Sequence, residues 1–346
     1  MKIAHVNLAK GFRGGERQTA LLIEALASRP HLQQTLVCRK DSPLRDALAP
    51  VPGLRVVEAT HQLAGHARTG RVDLVHAHEA KAVHWAALHR IATGSAYVIT
   101  RRVDAQVKDK WVNRLTYRHA ASRVAISSII HRQLAARGWG EVDCVPSAHS
   151  EPTTDARETA AFRRRFDGKF LIGHAGALVD RHKGQRVLIE AARRLQHEAP
   201  EMQFVFLGQG EDAEALQTAS ADLDNVSWLG FKDNIADYLA GLDVFAFPSR
   251  NEGLGSVLLD VMHLGVPIVA SEAGGIPDIV EPERTGLLVP VGDATALAEA
   301  LLRLKGDAGL RARLAATASE RLERFSPARM AEAYLGLYER TLRGST

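Results

Sequence analysis

The sequence has few of the features that mark membrane-spanning, secreted or metal-binding proteins. Its 346 residues include two cysteines, Cys38 and Cys144, which are too few for a disulfide framework and lack metal-ligand spacing. No run reaches the roughly 18 apolar residues that a membrane span requires. The opening segment, MKIAHVNLAKG, is too short and too polar for a secretory signal. These absences predict a protein of the reducing cytoplasm.

Signatures of nucleic-acid binding are also missing. The chain has no zinc-finger spacing, no RNP-like aromatic motif and no basic low-complexity tail, so we expect no nucleic-acid partner. The net charge of +4 is modest and favours an anionic partner such as a nucleotide, a phosphorylated glycan or a membrane surface. A composition of 46% hydrophobic and 24% charged residues is typical of a globular protein, and the length suits two domains.

Short apolar runs alternate with amphipathic helical segments along most of the chain. The polar stretch SAHSEPTTDAR, residues 147–157, interrupts this alternation, which restarts at KFLIGHAG. Such a pattern predicts parallel sheets covered by helices. We therefore expect an α/β protein with two facing, Rossmann-like, doubly wound domains, residues 1–150 and 151–326. Ligands would bind in a deep cleft at the carboxyl ends of the strands. Residues 327–346 are expected to form a helix that packs back toward the first domain.

The segment GHAGALVDRHKGQ, residues 173–185, carries two basic residues in a glycine-containing turn. Arg181 and Lys183 follow Gly176 and precede a predicted helix. The amides at a helix start favour an anion, and a guanidinium with an ammonium can neutralise a diphosphate. Taken alone, a solvated loop before a helix explains these residues equally well.

A second segment, PSRNEGLGSVLLD, holds Glu252 and Asp260, eight positions apart. A helix starting near Gly255 would place the amides of residues 253–256 at its N-terminus and Asp260 about one turn further in. A carboxylate in that place can accept two vicinal sugar hydroxyls. Ordinary capping and surface charges are the alternative explanation.

Three segments occur in order between residues 179 and 293, namely VDRHKGQRVLIEAARRL, FVFLGQGED and VSWLGFKDNIADYLAGLDVFAFPSRNEGLGSVLLDVMHLGVPIVASEAGGIPDIVEPERTGLLVPVGD. They resemble the C-terminal domain of retaining glycosyltransferases of family 4, which have the GT-B fold. The resemblance covers roughly Phe170–Leu304. It implies a hexosyltransferase-like enzyme that moves a sugar from a UDP-, GDP- or ADP-linked donor, keeps the anomeric configuration and uses neither metal nor cofactor.

The resemblance also assigns donor-binding residues. Arg181 and Lys183 match the family's pair on the donor diphosphate, while Glu252 and Asp260 fall on its E-x7-E motif. The first acid of that motif lies near the donor sugar, which makes Glu252 a catalytic candidate, and the second binds the ribose. Asp260 is one methylene shorter than the family's usual glutamate, so its ribose contact is expected to be weaker or water-mediated. The other implied donor-binding residues are Gly14, Gly15, Gly176, Gly208, Lys232, Gly253, Leu254, Gly255 and Ser256.

Gly14 and Gly15 match the family's N-terminal glycine loop, although a plain strand-to-helix turn would need the same residues. The strand YVITRRVDA departs from the family more clearly. Many relatives end this strand with a histidine, whereas here Arg101 and Arg102 occupy the region. Arginine cannot act as a base at neutral pH but can bind an anionic acceptor or the donor phosphate. Asp104 is the candidate for taking the acceptor's proton.

His78 ends another predicted strand, in VHAHEAKAVH, and is an acceptor-binding candidate; a buried structural role is the alternative. A His-x-His pair alone is too small for a zinc site, so we predict no metal.

The segment RRVDAQVKDKWVNRLTYRHAASR combines basic residues with Trp111 and Tyr117. It suggests peripheral binding to the anionic inner face of the cell membrane, although a solvated helix with one apolar face explains it as well. The acceptor would be a glycan, a phosphorylated glycan or a lipid-linked glycan, as in lipopolysaccharide biosynthesis.

A nucleotide-sugar epimerase and a non-catalytic nucleotide-sugar sensor remain alternatives on the same fold. A Rossmann dehydrogenase is disfavoured because neither glycine turn reads G-x-G-x-x-G.

Overall fold

The computed structural model describes residues 1–344 and divides into two compact units. Unit 1 comprises Met1–Ala148 and the chain from Phe325 onward, and unit 2 comprises His149–Arg324. The sequence placed the corresponding boundaries at residues 150 and 326, and the last two residues of its terminal helix, Ser345 and Thr346, lie outside the described residues. Both units are α/β with a parallel sheet, which confirms the predicted fold class.

Unit 1 is built on a seven-stranded parallel sheet in the order β3-β2-β1-β4-β5-β6-β7. The five inner strands are buried almost throughout, as expected for a sheet with helices on both faces, whereas the edge strands β3 and β7 are largely accessible. Its elements are β1 (Lys2–Asn7), α1 (Gly14–Ala27), β2 (Gln33–Cys38), α2 (Pro43–Ala47), β3 (Arg55–Glu58), α3 (His66–Thr69), β4 (Leu74–Ala77), α4 (Ala80–Thr93), β5 (Ala96–Arg101), α5 (Trp111–Arg118), β6 (Ser122–Ala125), α6 (Ser128–Ala135), β7 (Val142–Cys144) and, from the end of the chain, α15 (Pro327–Arg343).

Unit 2 contains a six-stranded parallel sheet in the order β10-β9-β8-β11-β12-β13. Its elements are α7 (Ala156–Arg164), β8 (Phe170–Ala175), α8 (Asp180–Lys183), α9 (Gln185–Glu198), β9 (Met202–Leu207), α10 (Ala213–Ala219), β10 (Val226–Gly230), α11 (Ile235–Ala240), β11 (Val244–Phe247), α12 (Val257–His263), β12 (Ile268–Ser271), β13 (Leu287–Val289), α13 (Ala294–Gly306) and α14 (Ala308–Glu320).

In each unit the strand order reverses once, between β1 and β4 in unit 1 and between β8 and β11 in unit 2. Loops leave the two strands in opposite directions at such a point, so a crevice opens at their carboxyl ends. The fold therefore directs attention to the loops that follow these four strands.

The terminal helix α15 completes the core of unit 1. Tyr334 and Tyr338 are almost fully buried, and both belong to one apolar cluster with Leu22 of α1 and Val98 of β5. Their hydroxyls bond inward as well, since Tyr338 lies 2.7 Å from a ring nitrogen of His76. Within residues 1–344 we find no helix with the length and apolar character needed to cross a bilayer.

Candidate active site

The loops after β8 and β11 bring Lys183 and Glu252 together, 69 positions apart in the sequence. The Lys183 ammonium forms an ion pair with the Glu252 carboxylate, and the two side chains are only 22% and 16% exposed. The ammonium also lies 5.1 Å from the ring centre of Phe247, the last residue of β11. Because little water screens this charge, it would act strongly on an anionic group beside it.

Backbone contacts fix the segment that carries Lys183. The Arg250 amide donates to the His182 carbonyl over 2.8 Å, which ties α8 to the loop after β11. Gly184, between α8 and α9, has a φ of +65°, and a Cβ there would lie 2.1 Å from the Pro248 carbonyl oxygen. Glycine alone suits this left-handed, closely packed position. The sequence His-Lys-Gly thus holds its lysine against the end of β11.

A neutral imidazole accompanies the ion pair. The ring of His174, on β8, donates to the Ala246 carbonyl over 3.0 Å and accepts from the Gln185 amide over 3.3 Å. Burial, with a smaller contribution from the charge of Lys183, lowers the pKa of His174 to about 4. At neutral pH the imidazole therefore adds no charge of its own to the Lys183–Glu252 pair. Sequence reasoning missed His174, because nothing in its local motif distinguishes it from any other strand residue.

The structure separates the two predicted phosphate-binding cations. Arg181 forms a 3.0 Å ion pair with Glu211, which follows β9, and 70% of the arginine side chain is exposed. An exposed ion pair of this kind contributes only about 0–1 kcal/mol. An anion bound at Lys183 could therefore recruit Arg181 at little cost, but in this structure the guanidinium is paired elsewhere.

The second acid of the E-x7-E pattern also has a partner. One carboxylate oxygen of Asp260 accepts from the backbone amide of Ser150 over 2.7 Å and from its hydroxyl over 3.0 Å. This contact links α12 to the polar stretch of residues 147–157, which interrupts the alternation of strands and helices in the sequence. A ribose would have to share the carboxylate with Ser150 or displace it.

The helix that carries Asp260 begins later than predicted. It starts at Val257, with Ser256 as the capping position, rather than near Gly255. The reason is the backbone of Gly255, whose φ of +86° lies outside the helical region. Gly253, Leu254 and Gly255 are buried, and a Cβ on Gly255 would approach the Glu252 side chain at 3.3 Å. These residues pack against the catalytic candidate.

Glycines line the carboxyl ends of β8, β9 and β10. A Cβ on Gly208 would lie 1.9 Å from the Gly176 carbonyl oxygen, and the Gly208 amide donates to the Gly230 carbonyl over 2.8 Å. Close backbone packing therefore explains Gly208 without a ligand. Lys232 follows β10, half-buried, with its ammonium 5.3 Å from the ring centre of Tyr238.

In unit 1, Arg102 presents a buried charge without a partner. Its three guanidinium nitrogens are inaccessible to solvent, and no hydrogen-bond acceptor for them exists among residues 1–344. Burial lowers the pKa of Arg102, and the negative charge of nearby Glu16 acts in the opposite direction by raising it. Gly14 and Gly15 are the first residues of α1, and a Cβ on Gly15 would lie 3.7 Å from the Arg102 Cδ. The arginine therefore contacts the start of α1.

His78 lies in a buried cluster with His5 and His76, whose ligand atoms are all within 4.8 Å of one another. Hydrogen bonds already occupy both ring nitrogens of His76, which contact Tyr338 and Thr100 at 2.7 Å each. The ring nitrogens of His5 are occupied as well, by His78 at 3.1 Å and by a glutamine. These contacts, together with the nearby Arg102 charge, give the cluster the character of a structural network rather than a cation site.

Arg101 and Asp104 are both held by neighbours. The Arg101 guanidinium donates to the Ala105 carbonyl and lies near the Tyr117 phenol. Asp104 accepts from the side-chain amide of Gln133 over 2.8 Å. This contact holds one carboxylate oxygen of Asp104, so only the other oxygen could take a proton from an acceptor without breaking it.

With the geometry described, the chain can be compared with known proteins. Residues 169–307 match the family model described as glycosyl transferases group 1. The chain is 28% identical to the lipopolysaccharide core biosynthesis glycosyltransferase LpsE of Rhizobium meliloti, over 97% of this chain and 98% of that protein. It is 27% identical to the phosphatidyl-myo-inositol mannosyltransferase of Mycobacterium leprae, over 78% of this chain and 74% of that protein.

Solved structures agree on the fold. Anabaena Alr3699/HepE, crystallised with UDP and glucose, superposes with a TM-score of 0.84 at 20% identity, covering 98% of this chain and 99% of that one. The apo form of the lipopolysaccharide outer core galactosyltransferase WaaB gives a TM-score of 0.74 at 20% identity, covering 98% and 100% of the two chains. At this level of identity the likeness establishes the architecture alone.

Proposed function

Because this chain is a glycosyltransferase that carries the group 1 domain in its carboxyl-terminal half, we propose that it transfers a sugar from a nucleotide-sugar donor to a glycan or lipid-linked acceptor. Membership of this family sets aside the epimerase and the non-catalytic sensor. We further propose that the reaction retains the anomeric configuration, needs no metal and takes place in the cytoplasm. UDP-, GDP- and ADP-linked sugars are the candidate donors.

The Lys183–Glu252 pair is the observation that carries this proposal. Cleaving the bond between the anomeric carbon and the diphosphate oxygen leaves its electron pair on that oxygen. A largely buried ammonium, already fixed by backbone contacts, stabilises the negative charge as it develops. It can do so without a metal ion. Once the diphosphate replaces Glu252 as the partner of the Lys183 ammonium, the Glu252 carboxylate can accept hydrogen bonds from hydroxyls of the donor sugar.

Retention follows if the acceptor attacks the face from which the diphosphate leaves. In that geometry the departing phosphate oxygen can take the acceptor's proton, so no separate base is required. A double displacement, with a carboxylate as nucleophile, is the competing route to the same configuration. A covalent sugar–enzyme adduct on Glu252, trapped and located by mass spectrometry, would establish the second route instead.

The test of the proposal is Lys183→Ala, assayed by release of nucleoside diphosphate from UDP-, GDP- and ADP-sugars. We expect turnover to fall by about tenfold or more because one preorganised cation is lost. Lys169→Ala is the matched control, since Lys169 lies just before β8 and its ammonium donates to the Pro200 carbonyl, away from the Lys183–Glu252 pair. Equal rates for Lys183→Ala and the control would remove Lys183 from the mechanism.

We also propose that unit 1 binds an anionic membrane surface through α5. Three apolar side chains are well exposed on α5 and in the segment before it: Trp111 at 75% and Leu115 at 49% on the helix, and Val103 at 56% just after β5. Exposed apolar residues surrounded by cations suit the boundary between lipid headgroups and acyl chains. The surrounding exposed cations are Lys108, Lys110, Arg114 and Arg118.

Sedimentation with phosphatidylserine vesicles tests this surface. We expect Trp111→Ser to reduce binding severalfold, whereas Ile91→Ser should leave it unchanged. Ile91 is also an apolar residue of unit 1, 83% exposed, but it lies on α4 outside the surface. Binding that does not distinguish phosphatidylserine from phosphatidylcholine would contradict the proposal.

A further inference from the structure

A pocket of about 270 Å³ opens in unit 1 where β4 and β5 end. It lies between the start of α4, the segment 105–108 and α5. Its volume falls just below the roughly 300–1,000 Å³ of pockets that enclose drug-sized ligands, so it suits one sugar residue or one charged group. The polar side chains that line it belong to His84, Arg101, Gln106, Lys108, Asn113 and Tyr117.

The charge of this pocket is one-sided. Arg101 and Lys108 contribute two cations, and none of the described residues lining the pocket is acidic. Lys108 forms no ion pair within residues 1–344. An electropositive concave surface without a counter-charge attracts anions.

The acidic residues closest in sequence are held elsewhere. Asp104 accepts from Gln133, and Asp109 pairs with Arg114 at 3.1 Å. The Glu79 carboxylate caps α4, accepting from the amides of its first turn. None of these three carboxylates lines the pocket, and Asp109 is already paired with another cation.

Arg101 is oriented in advance by neutral partners. Its guanidinium donates to the Ala105 carbonyl and lies near the phenol of Tyr117, which is 4% exposed and lines the same pocket. These contacts fix the side chain but leave its positive charge uncompensated. A guanidinium held this way can offer its remaining donors to two oxygens of one phosphate or carboxylate.

We propose that this pocket binds an anionic group, a phosphate or a carboxylate, carried by the acceptor. The inference rests on the proposed transfer reaction and adds its substrate class: the enzyme selects acceptors that carry negative charge near the hydroxyl that receives the sugar. Asn113 and Gln106 supply side-chain amides that can bind the neutral hydroxyls of the same acceptor.

Calorimetric titration with paired sugars tests the pocket. The probes are mannose, mannose 6-phosphate and glucuronic acid, with farnesyl phosphate as a lipid-borne phosphate. We expect at least one anionic probe to bind wild-type protein about tenfold or more tightly than mannose. Preference for farnesyl phosphate would assign the charge to a lipid carrier, and preference for mannose 6-phosphate or glucuronic acid would assign it to the sugar. Equal binding of mannose and all three anions would overturn the proposal.

Matched variants locate the binding. Arg101→Gln combined with Lys108→Gln removes the two pocket cations. Lys40→Gln combined with Arg71→Gln removes two exposed cations of unit 1 that belong neither to the pocket nor to the α5 surface. The anion preference should fall about tenfold in the first variant and stay unchanged in the second. The single change Lys108→Gln, at an exposed side chain, gives the same test if loss of Arg101 disturbs folding. Equal loss in the pocket and control variants would show non-specific attraction and would overturn the proposal.

A parallel titration with UDP, GDP and ADP separates this inference from the proposed function. If none of the three nucleotides binds wild-type protein, the proposed nucleotide-sugar reaction is wrong. If nucleotides bind normally and the anion preference is absent, only the acceptor inference is wrong. Should the pocket variant lose nucleotide affinity instead, the pocket belongs to the donor and the inference also fails.

Discussion

Arg102 is the residue whose surroundings are hardest to explain by folding alone. A buried charge without a partner costs several kcal/mol, and here the guanidinium has no acceptor among the described residues. The next residue back, Arg101, lies against neutral acceptors and lines a pocket. Successive residues at a strand end point to opposite faces, so the two arginines serve different surroundings. A charge kept at such a cost is typical of a position that contacts a ligand.

This cost leads to a prediction about stability. Arg102→Met keeps much of the side-chain volume and removes the buried charge, so we expect the free energy of unfolding without ligand to rise by about 1–4 kcal/mol. Turnover should fall in the same variant if an anion meets the guanidinium during the reaction. Urea denaturation and a rate assay on one preparation check both effects. A destabilised Arg102→Met protein would show that the guanidinium has a favourable partner after all.

At the scale of elements, the junction of α8 and α9 determines where Lys183 lies. Gly184 lies there with a left-handed backbone and with no room for a side chain beside Pro248. Gly168 is a suitable control for Gly184. Its φ of +72° is similar, but a Cβ on Gly168 would meet nothing within 4 Å.

We expect Gly168→Ala to destabilise the protein by about 1–2 kcal/mol, the cost of left-handed geometry for an L-residue. Gly184→Ala should cost more, since backbone must also move, and should lower turnover by shifting Lys183. Denaturant titration with a parallel rate assay measures both effects. Similar stability losses in the two variants would mean that the contact with Pro248 is easily relieved.

The helices and strands could be predicted from the sequence more readily than the contacts between side chains. The alternation of short apolar runs with amphipathic helical segments predicted both parallel sheets and their break near residue 150. The pairing of Lys183 with Glu252 brings together two motifs that the sequence singled out separately. Two other contacts could not be predicted, because they depend on which loops become neighbours after folding: Arg181 pairs with Glu211, and Asp260 bonds to Ser150. Neither Glu211 nor Ser150 lies in a motif that the sequence singled out.

At the scale of the whole molecule, buried histidines link stability to pH. Burial lowers the pKa of His5 and His89 to about 4, and it holds those of His76 and His78 well below 6.5. In the unfolded chain these groups titrate near 6.5, so below that pH the unfolded state binds protons that the folded state does not. Their stability contribution is therefore complete above pH 6.5 and declines as the pH falls toward 4. Each group loses about 1.4 kcal/mol per pH unit in that window.

All four of these histidines lie in unit 1, whereas unit 2 has His174 with a pKa of about 4 and His149 with a lowered pKa. We expect unit 1 to lose more stability than unit 2 between pH 7 and pH 5. Hydrogen exchange read by mass spectrometry, corrected for the intrinsic effect of pH, can compare peptides of β1 and β4 with peptides of β8 and β9. Equal loss of protection in both sets would contradict this assignment.

The helix α15 makes unit 1 discontinuous along the chain, with consequences for synthesis. The ribosome makes seven strands of unit 1 first, yet the tyrosines that bond to His76 and Thr100 emerge only after unit 2 has been made. At roughly 5–20 residues per second, the early sheet waits on the order of ten seconds or more for α15. Unit 2, encoded without interruption, can finish folding first. The usual order, in which the amino-terminal domain folds ahead of its successor, is therefore reversed, and the nascent unit 1 is the stage at which a chaperone would be needed.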